Sequence, residues 1–232
     1  MITESVIITS GEMFMLLSEN EIIRSLSEIV SIHILGAGLN KERTAHTAVG
    51  EISQRGWRVI PVHPKDSGAT ISGLPIRKEI DEGIELELIV LFLAPERAQN
   101  VVKKLLIKNP TKKPIIWFQP GAEDETSINW LEESSWDYVY DDCIVRLAER
   151  NNLSVEKNPQ PWFRQVIDTD DSGCSIWSVH EKGEDSTLPE TEVEWTGDLI
   201  DLEQSEHVIP KYIRGNMNFN EDLEICARRL AN

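Results

Sequence analysis

Residues 33–52 read HILGAGLNKERTAHTAVGEI. An apolar run ends in Gly36-Ala37-Gly38, and helical periodicity begins a few residues later. A tight turn of small residues lets backbone N–H groups approach a phosphate, and the N-terminus of the next helix adds partial positive charge. Lys41 and Arg43 bring two cations to the same place. The chemistry this points to is binding of a nucleotide phosphate. The bland alternative is that the glycines serve only the turn. The third glycine of a dinucleotide fingerprint would stand at position 41, where this chain has Lys41.

The end of the next strand bears on which nucleotide. A site for NAD wants Asp or Glu there, to accept hydrogen bonds from the ribose hydroxyls. This chain offers His63-Pro64-Lys65. A cation suits a phosphorylated ribose, 2′ in NADP or 3′ in coenzyme A. An ordinary surface turn would read the same way.

Those residues need strands that end at one crevice. Ser18-Glu19-Asn20-Glu21 is a capping box opening a helix through about Leu26. Ile32 to Leu35 is a short strand. Thr44 to Arg55 is amphipathic, with Ala45, Ala48, Val49 and Ile52 on one face and Gly56 as its terminator. Trp57–Val62 is a second strand, Leu74–Ile76 a third, and Arg77–Glu82 a helical turn. Ile84–Leu93 is a fourth strand, and a helix runs from Pro95 to Asn109. Pro114–Phe118 is the fifth strand, Asp124–Glu133 helical, Asp137–Tyr140 the sixth strand, and Ile144–Glu149 a short terminal element. Apolar strands alternating with helices predict an α/β fold, a Rossmann-like doubly wound parallel sheet in the order 3-2-1-4-5-6. Ligands then bind beyond the strand C-termini, at the switch between strands 1 and 4.

The pattern changes near residue 150. Residues 1–150 carry 16 basic and 23 acidic side chains, residues 151–232 carry 7 and 17. The division expected is a ligand-binding domain over 1–150 and an acidic C-terminal extension over 151–232. The extension has Trp162, Trp177 and Trp195, β-like runs at Trp162–Ile167 and Ser175–His180 around an Asp-Asp-Ser-Gly turn at 170–173, and a helix over Asn220–Leu230. Disordered tails have fewer aromatics, so it is expected to pack at least partly on the main domain.

With a formal net charge of −17, the 232-residue chain is ill suited to nucleic acid or an anionic membrane. An anionic ligand would need a locally basic pocket. Cys143, Cys174 and Cys226 are far apart with no CxxC, which fits a reducing cytoplasm. Glu4 precedes any basic residue, so the N-terminus does not read as a secretory signal. His33, His46 and His63 lack metal-site spacing. No G-x-S-x-G elbow or Walker A motif occurs. The run Lys103, Lys104, Lys108, Lys112, Lys113 reads as a solvated face complementing a helix dipole.

The stretch ILGAGLNKERTAHTAVGEISQRGWRVIPVHPK resembles the opening of the small CoA-binding-domain proteins. The similarity continues through SGLPIRKEI, IVLFLAPERAQNVV, IIWFQPGAEDE and DYVYDDCIVR, spanning about residues 15–150 in order. The same Rossmann-like domain opens the α subunit of succinyl-CoA synthetase. The resemblance implies coenzyme A, or an acyl-CoA, as a small-molecule nucleotide ligand bound without catalysis. It implies a pyrophosphate over Gly36, Ala37, Gly38 and the following helix, with Asn40, Arg43 and Thr44 in the loop. Lys65, beside His63 and Pro64, would face the 3′-phosphate. Leu93, Ala94 and Pro95 would line the crevice, and Gln119, Pro120 and Gly121 the pantetheine path. The family usually has proline near Lys41 and at Thr44, serine at Ala45, tyrosine at His46 and asparagine at His63. The lost serine removes a phosphate donor that Thr44 could replace.

Cys143 also matches the family, as a thiol that could pair with the CoA sulfhydryl or as a small buried hydrophobe. The synthetase's phosphorylated histidine lies in another domain, and His180 and His207 do not look like its context. The alternatives are an NADP-type oxidoreductase or redox regulator in the same crevice, or an interaction module that has lost ligand binding. A protein partner or a homo-oligomer is compatible with any of these.

Overall fold

The computed structural model describes residues 16–169 and 174–231. In chain order the first elements are α1 (Glu19–Glu28), β1 (Ser31–Leu35), α2 (Thr44–Ser53), β2 (Arg58–Val62), β3 (Thr70–Ile71) and β4 (Leu74–Pro75). Then come β5 (Leu88–Leu91), α3 (Pro95–Lys108), β6 (Ile115–Phe118), α4 (Glu125–Glu133), β7 (Tyr138–Val139) and α5 (Ile144–Arg150). The capping box forms: Ser18 N–H donates to Glu21 Oε2 at 2.8 Å. Pro95 sits at the start of α3, where its missing N–H costs no hydrogen bond.

Five strands make a parallel sheet in the order β2-β1-β5-β6-β7. Alternate residues face opposite ways. Ile32, Ile34, Val59, Leu88, Val90 and Trp117 share one core with α1, α2 and α5. Leu35, Ile60, Val62, Ile89, Leu91, Ile116 and Phe118 share the other with α3 and α4. The chain leaves β1 for α2 on one face and β5 for α3 on the other. The C-termini of these neighbours therefore form the switch point, where folds of this kind bind ligands.

The sequence led us to expect a third strand at Leu74–Ile76, outside β2 in the order of the sheet, and a helical turn over Arg77–Glu82. A strand forms at Leu74–Pro75 but does not join the parallel sheet, and the helical turn does not form. Leu74–Pro75 pairs antiparallel with Thr70–Ile71 in a separate two-stranded hairpin, turned by Ser72 and Gly73, both at positive φ. Pro75 has no N–H to give a sheet. Arg77 instead bridges Val62 and donates its N–H to Pro61 O at 2.8 Å. What draws residue 77 away from helix is its side chain, which ends in a buried ion cluster.

That cluster involves the C-terminal part of the chain. There β8 (Trp162–Ile167), β9 (Ser175–His180) and β10 (Val193–Asp198) form an antiparallel sheet in the order β10-β8-β9, followed by α6 (Leu199–Gln204), α7 (Val208–Gly215) and α8 (Leu223–Arg229). They enclose Phe163, Trp195, Leu202, Ile213, Cys226 and Ala227. The turn expected at 170–173 lies outside the described residues. β8, β9 and α8 coincide with sequence expectations; β10, α6 and α7 had none.

Arg58 reaches Asp198 with two hydrogen bonds (2.8 and 2.7 Å) and Asp201 with one of 2.6 Å. Arg77 donates to Asp201 Oδ2 at 2.8 and 2.6 Å and to Asp198 Oδ2 at 3.1 Å. Asp198 also caps α6, accepting from Ile200 N–H at 2.9 Å. Segment 81–85 is stitched to the same region. Asp81 accepts from Trp195 Nε1 and Ser205 Oγ, Glu82 O from Glu206 N–H, and Gln204 Oε1 from Glu85 N–H. The C-terminal elements thus cover the part of the sheet where a helix after the third strand was expected.

His33, in β1, is 2% exposed, and its Nδ1 has no protein partner. It lines a small cavity of mixed character, with Arg77, Asp81, Thr196 and Asp201 on one part and Ile60, Ile80 and Ile84 on the rest. Burial, reinforced by Arg58, pushes its imidazole down to about 3 from an ordinary 6.5. Burial raises the Asp201 carboxyl, but Arg77 and Arg58 outweigh it and hold the group well below the usual carboxylate range. Both shifts have the same consequence. The unfolded chain takes up protons that the folded chain refuses, so stability is full above about pH 6.5 and falls with acidification. Denaturation midpoints should decline from about pH 6.5 downward, with His33 contributing on the order of 4 kcal/mol by pH 3. His33→Gln should flatten the slope between about pH 6.5 and 4; an unchanged slope would refute this role for His33.

Candidate functional site

The loop between β1 and α2 crosses the top of the sheet. Gly36 has φ +96°, and its N–H donates to Val62 O at 2.9 Å, tying the loop to the end of β2. A Cβ there would lie 2.4 Å from Phe92 O and 3.2 Å from Leu93 Cδ2. The loop therefore passes against the segment leaving β5, with Gly36 beside Phe92 and Leu93. A Cβ on Gly38 would lie 2.3 Å from Asp66 Oδ2 and 3.1 Å from the His63 ring. The loop and the turn after β2 are thus packed together.

Asn40, Lys41, Glu42, Arg43 and Thr44 are exposed. Asn40 Oδ1 accepts from Glu42 N–H at 3.0 Å, and Asn40 O accepts from Arg43 N–H at 3.1 Å, which fixes the approach to the helix. Arg43 is the N-cap residue of α2. It makes no side-chain cap, and the first turn has no acidic residue. The positive end of this ten-residue helix is therefore not neutralised by its own sequence. Ala45, where the family has serine, is buried against the sheet, whereas Thr44 is exposed.

The two histidines that depart from the family pattern have structural roles. Gly38 O accepts from His46 Nδ1 at 2.8 Å, so the first turn of α2 braces the loop. That geometry places the proton on Nδ1. His63 Nδ1 lies 3.1 Å from Asp66 Oδ2, out of line for a hydrogen bond but within ion-pairing distance. Leu39 N–H donates to the same Asp66 oxygen at 2.8 Å. Sequence reasoning passed over Asp66, although it directly follows Lys65.

Pro64 and Lys65 are exposed on the turn. Among the described residues, no acidic side chain pairs with Lys41, Arg43 or Lys65. Some cations elsewhere are engaged, Lys112 with Glu85, Lys78 with Glu192, and Arg150 with Glu19 and Asp142. In a chain of net charge −17, the loop and its neighbouring turn hold three cations, Lys41, Arg43 and Lys65, against two acids, Glu42 and Asp66, a surplus of one positive charge.

The far side of the switch point begins at Leu93. Ala94 is the N-cap residue of α3, without a side-chain capping bond, and Pro95 follows it. Gln119 follows β6, its N–H donating to Leu91 O at 3.3 Å. It is 6% exposed, and its Nε2 has no protein partner, a costly arrangement for a buried amide. Pro120 and Gly121 are exposed, and Gly121 has φ +89°. Cys143 is half-buried as the N-cap residue of α5. Asp142 is a loop anchor, its carbonyl accepting from Trp117 Nε1 and its carboxylate from Arg150. His46 and His63 both adjoin Gly38, but no three histidine, cysteine or acidic side chains gather to hold a metal among the described residues. His33 is inside the sheet, His46 on α2 and His63 on the turn after β2. No described helix is long and apolar enough to cross a membrane.

Residues 30–149 match the family model described as CoA binding domain. A Bacillus subtilis (strain 168) protein, described as "Uncharacterized protein YneT", is 27% identical over 128 residues, covering 55% of this chain and 91% of its own length. Among solved structures, a conserved hypothetical protein from Pyrococcus furiosus is 27% identical over 51% of this chain and 98% of its own, with a TM-score of 0.46. A Thermus thermophilus protein is 24% identical over 58% of this chain and 98% of its own, with a TM-score of 0.52. That second structure shares the fold of the parallel-sheet region.

Proposed function

Since the chain belongs to the CoA binding domain family, we propose that it binds coenzyme A or an acyl-CoA without catalysis, through the Gly36–Gly38 loop and the N-terminus of α2. The carrying observation is the start of α2 without a side-chain cap, with Lys41 and Arg43 in the loop before it and Lys65 on the adjoining turn, none of them paired with an acid among the described residues. In this reading the pyrophosphate lies over Gly36, Ala37 and Gly38 beside Asn40, Arg43 and Thr44. Lys65, presented by His63 and Pro64, faces the 3′-phosphate. The pantetheine runs past Leu93, Ala94 and Pro95 toward Gln119, Pro120 and Gly121, where the unpartnered Gln119 amide is available to a ligand carbonyl. Residues 1–150 form the binding unit, and residues 151–232 brace it.

Titration calorimetry tests the role of Lys65. Coenzyme A should bind about tenfold more tightly than dephospho-CoA, as expected for one charge-assisted contact. Lys65→Ala should abolish that difference while leaving dephospho-CoA binding unchanged. Equal wild-type affinities would remove Lys65 from the site. A thermal-shift panel including NADPH separates this reading from an NADP-type one, because the preferred ligand should give the larger rise in Tm.

A further inference from the structure

One carboxylate oxygen occupies a position suited to a ligand anion. Asp66 Oδ2 accepts from the glycine-rich loop at Leu39 N–H (2.8 Å), lies 3.1 Å from His63 Nδ1, and fills the space beside Gly38. A backbone N–H at the end of a Gly-x-Gly turn is the kind of donor that phosphate oxygens take up. Here it already has an anionic partner from the same chain, one residue beyond Lys65.

We infer that Asp66 is an internal competitor for the phosphate site, a specificity-determining residue that weakens binding of the more highly charged ligands. This rests on the CoA-binding reading above. When a phosphate reaches the loop, the carboxylate must either leave Leu39 N–H or stay as a like charge nearby. Both raise the free energy of the complex, and the second does so more at low ionic strength. The neighbouring Lys65 attracts the same phosphate, so the two adjacent residues act in opposite directions. Their balance tunes affinity, and a chain that keeps the glycine loop can thereby bind coenzyme A only moderately.

Asp66→Asn tests this with little disturbance, because the amide oxygen can still accept from Leu39 N–H. Calorimetry with coenzyme A would compare wild type, Asp66→Asn and Asp66→Ser at low and high salt, with Tm confirming that each variant is folded. Asp66→Asn should bind about tenfold more tightly at low ionic strength, and the gain should shrink as salt is added. Asp66→Ser should also bind more tightly than wild type. Binding by a variant where wild type shows none would carry the same meaning. If wild type binds and neither folded variant binds more tightly, Asp66 is a structural brace and the inference falls while the CoA reading stands. If none of the three binds, both fall.

Discussion

Asp201→Ala should destabilise the protein by about 3–5 kcal/mol, read as a lower denaturation midpoint, although Asp201 lies far along the chain from the glycine loop. The residue is 4% exposed, and its side chain accepts from both Arg58 and Arg77. Its removal leaves two buried guanidinium groups with only Asp198 between them. An unpaired charge in that setting costs far more than the lost hydrogen bonds alone. Asp201 also accepts from the N–H of Asp198, at 3.0 Å, so the capping box of α6 opens too. A second variant separates charge from packing. Replacing Arg58, Arg77, Asp198 and Asp201 together by apolar residues of similar volume should cost much less than Asp201→Ala, because no charge is stranded. A loss below about 1 kcal/mol for Asp201→Ala would mean that water reaches the cluster, and the C-terminal elements would then be a loosely attached module. By the same reasoning, a chain ending at residue 150 should lose cooperative unfolding. It would expose Arg58, Arg77 and the sheet face around Ile60, and it would lose the partners of segment 81–85.

Gly36→Ala is expected to cost about 2–5 kcal/mol and to weaken coenzyme A binding at least tenfold. Two penalties combine at this position. Its φ of +96° is strained for any residue with a side chain. The added Cβ would also come within 2.4 Å of Phe92 O, a backbone atom held by the strand it follows. The loop can relieve that contact only by lifting off β5, which breaks the 2.9 Å bond from Gly36 N–H to Val62 O and moves the donors meant for phosphate. Gly121→Ala is the control. Its φ of +89° is similarly unusual, but nothing lies within 4 Å of the new methyl group. It should show the backbone penalty alone, roughly 1 kcal/mol. Denaturant unfolding of both variants decides the matter. If they lose equal stability, the close approach to Phe92 is not what requires glycine at position 36.

Much of the parallel sheet was legible because its signals are local. Ile32–Leu35, Pro114–Phe118 and the Leu88–Leu91 core of the strand expected over Ile84–Leu93 are apolar runs that a strand covered on both faces explains. Ser18 with Glu21, and Pro95 before an amphipathic face, mark helix starts by chemistry that acts over three or four residues. The place of Leu74–Ile76 in the sheet and the helical turn over Arg77–Glu82 were misread for the opposite reason. The fate of Arg77 is set by Asp198 and Asp201, more than 120 positions away, and no local pattern reveals a partner at that distance. The segments Val193–Asp198 and Leu199–Gln204 were missed because one is interrupted by Gly197 and the other is only six residues long. In the loop, glycine spacing and basic residues were visible, since they are identities in the sequence. The braces were not. His46 contacting Gly38 O and Asp66 contacting Leu39 N–H are meetings across turns, evident only once the backbone is folded.

The contact between Arg58 and Asp198 spans 140 residues of chain, and this separation sets the order of events during synthesis. At a translation rate of about 5–20 residues per second, Arg58 emerges from the ribosome roughly 7–30 s before the carboxylate that will neutralise it. Through that interval the β2 edge carries two cations with no route into the core, and the sheet cannot seal the face around His33. Local helices such as α1 and α3 can form at once, whereas closure waits for nearly the whole polypeptide. A nascent chain stalled before residue 198 should therefore remain protease-sensitive around residues 58–86, and release of the complete chain should protect them.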